Sequence, residues 1–150
     1  MSALYTPEML ALATQLALYP LDECFDHQAS GRSKVCGSSL TIGLDLEAEG
    51  TVRRVGFKVS ACAVGQSSAA ILAQGAQGMS AAALADTLDA IRMWLSGEGE
   101  LPDWPGFQTL APAKERTGRH GALLLPWEAA CNALSTSDCG PELSSRSASR

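Results

Sequence analysis

The sequence predicts an α+β fold on two observations. In "SLTIGLDLEAEGTVRRVGFKVS" two alternating apolar runs flank an acidic, glycine-ended turn, the pattern of an antiparallel hairpin. The rest of the ordered chain carries apolar residues at helical spacing between recognisable caps, so helices surround a small antiparallel sheet. With 150 residues the chain is about one domain, long enough to bury a core without disulfide staples.

The elements follow in order. Thr6 caps a first helix with Pro7 in its opening turn, and Met9, Leu12, Ala13, Leu16 and Ala17 recur at helical spacing until Pro20 stops it. The polar segment "LDECFDHQASGRS" reads as loop or edge. In the hairpin, a loop of Glu47 to Gly50 sets Leu46 against Thr51, Ile42 against Val55 and Leu40 against Phe57, which gathers large apolar groups on one face. Continued outward, that register sets Ser38 against Val59 and Cys36 against Ala61, beside Cys62.

A helix rich in small residues then begins near Cys62, in "ACAVGQSSAAILAQGAQG". Ser80 caps the next, with Leu84, Leu88, Ile91 and Leu95 on one face and Gly97 after the last turn. "GEGELPDWPGFQTLAPAKERTGR" is a Pro/Gly-punctuated connection with room for a short helix. A final helix is expected from about Ala122 to Leu134, with Pro126 in its early turns. These elements make up a domain over residues 1–134. Residues 135–150 form a Ser-rich tail with too few apolar groups to repay the entropy of ordering.

A net charge of −5 argues against nucleic-acid and membrane-surface binding, since both need a positive field. The N-terminus lacks the basic flank of a signal peptide and no stretch is long enough for a membrane span, so a cytoplasmic location is expected. There five cysteines are free thiols, ligands or nucleophiles rather than a disulfide framework. Cys62 stands where strand gives way to helix, and unpaired backbone N–H groups favour an anionic sulfur. The register makes Cys36 its neighbour. Cys24 stands in a polar loop with His27 and neighbouring acids, Cys131 is read as helix packing and Cys139 as tail. His120 precedes the last helix; with two thiolates, an imidazole makes a donor set suited to zinc or iron.

Taken in order, "SKVCGSSLTIGL", the charged second strand, "ACAVGQSSAAILA", the capped helix and "RHGALLLPWEAA" resemble the iron–sulfur assembly scaffolds of the IscU, SufU and NifU N-terminal kind, closest to the SufU branch. The likeness runs from about residue 7 to 134. It implies an α+β domain with a sheet of about three strands, and a scaffold or carrier rather than an enzyme. Such a protein accepts persulfide sulfur from a cysteine desulfurase through Cys36 and Cys62, binds iron, a transient cluster or zinc, and serves recipient or carrier proteins; a homo-oligomer is compatible with it. His120 is implied as accessory ligand, and Ser38 as a candidate one. Two positions depart from the family: Ser38 stands in place of its usual aspartate, and Gly121 in place of its third cysteine. Two alternatives are an adaptor that docks to the assembly machinery without metal competence, and a hydrolase with Cys62 as nucleophile and His120 as base.

Overall fold

The computed structural model describes residues 6–22, 24–33 and 37–139. Three antiparallel strands, β1 (His27–Arg32), β2 (Ser39–Leu46) and β3 (Val52–Ser60), lie in the order β1-β2-β3. Four α-helices accompany them: α1 (Pro7–Gln15), α2 (Ala63–Ala76), α3 (Ala81–Ser96) and α4 (His120–Cys139). The predicted α+β class holds.

The helix signals translate directly. The Thr6 hydroxyl accepts from the Met9 amide and Pro7 opens α1. Ser80 accepts from Ala83, and Gly97 ends α3 in the left-handed conformation at φ 87°. The first helix stops earlier than Pro20: it ends at Gln15, tightens into a single 3₁₀ turn over Leu16–Leu18, and then runs along the sheet. There the Phe57 amide donates to the Tyr19 carbonyl and Pro20 bridges Phe57. The connection after α3 holds a 3₁₀ stretch, Phe107–Glu115. The last helix starts at His120 and continues past Leu134 to Cys139, so it covers the first residues assigned to the tail; residues 140–150 lie outside the described residues.

The hairpin forms, but in a different register. Ile42 meets Phe57, Leu40 meets Val59 and Leu44 meets Val55, two residues displaced from the predicted pairing. Two local features cause the displacement. Gly50, at φ 96°, lets the chain turn in three residues, with the Glu47 amide bonded to the Thr51 carbonyl. Leu46 then pairs with Val52 and Asp45 with Arg54, which leaves Arg53 as the extra residue of a bulge. Because the displacement is even, the apolar groups keep their face. The polar segment read as loop or edge is the edge strand β1, held over the core by Leu125 of α4, which packs where Gly31 has no side chain.

On the outer face the bulge serves an ion cluster. Buried Asp45, 2% exposed, accepts from the Asp26 amide at 2.8 Å and from Arg54 Nε at 2.7 Å, with Arg53 at 3.6 Å. The Arg54 guanidinium lies 3.9 Å above the Phe25 ring. That ring covers the cross-strand pair Gly43 and Gly56, where an added Cβ would stand 2.5 Å or 2.6 Å from a ring atom. Two glycines thus make the slot in which an aromatic ring lies flat against the sheet.

Two outcomes are expected. Gly43→Ala pushes the Phe25 ring from its slot and costs about 1–3 kcal/mol in urea unfolding, a penalty that shrinks in a Phe25→Ala background. Burial pushes the Asp45 carboxyl up, but the Asp26 amide and the two arginines outweigh it and hold the group below its ordinary range. A depressed folded-state value gives stability that is fully present above about pH 4 and is lost as pH falls through the lower folded value. Asp45→Asn should flatten that acid limb of the stability curve.

Candidate functional site

The site is built where two helix starts meet the open end of the sheet. Cys62 is the N-cap residue of α2, with extended backbone (φ −68°, ψ 173°), and its carbonyl accepts from the Gln66 amide. The Gln66 side chain returns to the Ala61 carbonyl at 2.9 Å and fixes the turn from β3. A 3₁₀ turn over Thr117–Arg119 leads into α4. At the start of α2 a Cβ on Gly65 would lie 2.8 Å from Ala61 Cβ, so a glycine is needed where the turn from β3 folds against the first turn of the helix, and Ala122 of α4 stands at ordinary contact distance beyond it. Farther along, Ser68 donates to the Leu123 carbonyl at 2.6 Å and accepts from Trp127 Nε1 at 2.9 Å, all within the core.

The result is a shallow depression of about 380 Å³ lined by Gly37, Ser38, Ser60, Ala61, Cys62 and Arg119. Cys62 is half-buried and its thiol is free. Cys36 lies outside the described residues, and its chain neighbour Gly37 lines the depression. The β1–β2 connection closes through the Ser33 amide to the Ser38 carbonyl at 2.8 Å and the Gly37 amide to the Ser33 carbonyl at 3.0 Å. Ser38 therefore lies beside Cys62 through this turn and not, as the predicted register had it, opposite Val59, which pairs with Leu40.

His120 takes another course. Its Nε2 donates to the Lys114 carbonyl at 2.6 Å, so the ring is engaged with the connection before α4. Among the described residues no hydrogen bond joins it to Cys62, and the hydrolase pair is not formed. Arg119 lines the depression instead. Sequence reasoning passed over this residue, although it stands directly before the histidine; only the close approach of α2 and α4 gives it significance.

The remaining thiols are dispersed. Cys24 is exposed, with its amide bonded to Asp22. Cys131 is half-buried on α4, where burial, against the lesser pull of Arg92, raises its thiol above the ordinary range and makes it a poor nucleophile. Cys139 is the last residue of α4. Among the described residues no three His, Cys, Asp or Glu side chains gather as a metal-binding group.

Gly121 is closed in by Ser33. A Cβ at position 121 would stand 2.6 Å from the Ser33 hydroxyl oxygen, and Ser33 is buried. A side chain at 121 and a hydroxyl at 33 therefore compete for one volume.

No family model matches the sequence, and no curated protein matches it. A nitrogen-fixing NifU-like protein (N-terminal) from Brucella abortus superposes with a TM-score of 0.79 at 28% identity, over 90% of this chain and 94% of that one. An iron–sulfur cluster assembly scaffold protein for the SUF system from Fervidobacterium islandicum AW-1 gives a TM-score of 0.79 at 17% identity, over 87% of this chain and 96% of that one. The chain has the fold of the NifU-like and SufU scaffolds. The strand-to-helix cysteine and the start of α4 thus lie within a shared architecture that covers nearly the whole described chain. No helix among the described residues is long and apolar enough to cross a membrane.

The contact between Ser33 and Gly121 sets a test. Gly121→Ala should cost about 1 kcal/mol of stability by forcing the hydroxyl aside, and Ser33→Ala should remove most of that cost in the double variant. Equal penalties in both backgrounds, read from denaturant curves, would contradict the competition.

Proposed function

We propose that this protein is an iron–sulfur cluster assembly scaffold or sulfur acceptor, a carrier rather than an enzyme, with Cys62 and Cys36 as its sulfur-bearing groups. The observation that carries the reading is Cys62 at the start of α2, accessible in a depression formed with Gly37, Ser38 and Arg119, on a fold shared with named scaffolds. Its sulfur donor on this reading is a cysteine desulfurase, and its clients are proteins that receive sulfur or a cluster.

The chemistry balances without an added oxidant. The Cys62 thiolate attacks the outer sulfur of the donor's persulfide; a new S–S bond forms at Cys62 as the donor's S–S bond breaks. The donor cysteine leaves as a thiolate, and the proton of the outer sulfur stays with it. Iron, or a cluster under assembly, is cargo on the two thiolates, with His120 and Ser38 as further donors. With Nε2 donating to Lys114, neutral His120 keeps its lone pair on Nδ1. Zinc on the same donors suits a sulfur relay.

The steric closure of Gly121 by Ser33 favours a second reading, an adaptor that keeps the scaffold surface without a full ligand set. One anaerobic experiment separates them. Incubated with a cysteine desulfurase, cysteine and ferrous iron, the wild type should gain an extra sulfur on the Cys62 peptide and bind iron, and Cys62→Ser should lose that sulfur. Absence of persulfide and iron from the wild type, with undiminished desulfurase binding by Cys36→Ser/Cys62→Ser, would establish the adaptor instead.

A further inference from the structure

The charged side chains that line the Cys62 depression and its neighbour on the sheet are cationic, and Glu115 enters only on the far side of Arg119. Beside its depression, sharing Ser60 with it, is a larger one of about 550 Å³ on the outer face of the sheet, lined by strand residues that include Arg32, Thr41, Lys58 and Ser60. The charged residues lining these two depressions are Arg32, Lys58 and Arg119, with no acid among them. Among the described residues neither Arg32 nor Lys58 forms an ion pair, whereas Arg53, Arg54 and Arg92 each face a carboxylate elsewhere.

This cationic face belongs to a chain whose net charge is −5, so the acids must lie elsewhere. Asp22 and Asp45 sit in the ion cluster towards the hairpin turn, with Glu47 and Glu49 in or beside the turn itself, and Asp89 and Glu128 pair with Arg92. The open end of the outer sheet face is therefore cationic, with exposed Arg32 and Lys58 in the depression that adjoins the thiol's own. Arg32 and Lys58, in no ion pair among the described residues, create a potential that attracts an opposite surface and raises its rate of encounter. Two shallow depressions spread across three strands offer no enclosed cradle for a small anion; they match a broad surface.

We propose that the face formed by Arg32, Lys58 and Arg119 is the docking surface for an acidic protein surface, that of the sulfur donor, which it brings up against Cys62. The inference rests on the sulfur-acceptor reading and adds to it the kind of partner surface and where that surface sits. Arg32 and Lys58 act on encounter and leave the thiol chemistry to Cys62.

The test measures the second-order rate of sulfur transfer from a cysteine desulfurase of the same organism, read as persulfide on the Cys62 peptide, from low to high KCl. Wild type should slow about tenfold or more with added salt, and Arg32→Glu/Lys58→Glu should show a similar loss at low salt with a flatter salt dependence. Arg92→Glu, on the other side of the molecule, should transfer like wild type. Labelling of Cys62 by the uncharged disulfide dithiodipyridine should be equal in all three proteins. Salt-independent transfer, a double variant as fast as wild type, or an equal fall with the uncharged reagent would overturn the docking role. If the wild type accepts no sulfur at any salt concentration, the acceptor reading itself fails, an outcome distinct from these.

Discussion

The close contact between α2 and α4 is the constraint on which the site depends. It is fixed by the buried Ser68 hydroxyl of α2, which donates to the Leu123 carbonyl and accepts from Trp127 Nε1, both on α4. A buried hydroxyl with both roles satisfied costs little and fixes the rotation of one helix against the other. The starts of both helices are thereby held at the same end of the molecule. Cys62 belongs to one start and Arg119 immediately precedes the other, so a contact inside the core brings both to one depression.

The sheet contributes differently on its two faces. Its inner face is apolar and supports the helices through Leu40, Ile42, Leu44, Val55 and Phe57. Its outer face is divided. Towards the hairpin turn, Phe25 fills the slot over Gly43 and Gly56 beneath Arg54, and Asp45 neutralises the nearby arginines. Towards the open end no described residue provides such a cover, and Arg32 and Lys58 lie on the same face as Ser30 and Thr41, whose hydroxyls bond each other at 2.8 Å. One half of the face serves stability, and the other carries the exposed cations.

The side chains that line the depression with Cys62 are only partly those read in the chain. Ser38 stays near the thiol, but His120 bonds to Lys114 and position 121 has no room for a side chain while Ser33 keeps its rotamer. A cationic guanidinium takes the conspicuous place. A guanidinium lining the same depression disfavours a metal cation there, since like charges repel in a partly desolvated site. The sulfur-acceptor side of the proposed function draws more support from this arrangement than the metal-holding side.

The sequence by itself determined the elements whose causes are local. Thr6, Ser80 and Gly97 act within one turn of their own helices, and alternating apolar runs with Gly50 define a hairpin, so these could be placed from neighbouring residues alone. The register was not legible because the Arg53 bulge depends on Asp45, eight positions away, and on the Asp26 amide that completes its shell. The edge strand was hidden because its polar residues face solvent and its stability comes from Leu125 packed over Gly31. Cys62 could be singled out because a strand-to-helix junction is a local signal. That Arg119 lines the same depression, and that Ser33 stands against Gly121, follow from distant segments meeting, and only the packing of α4 on α2 and on the sheet decided them.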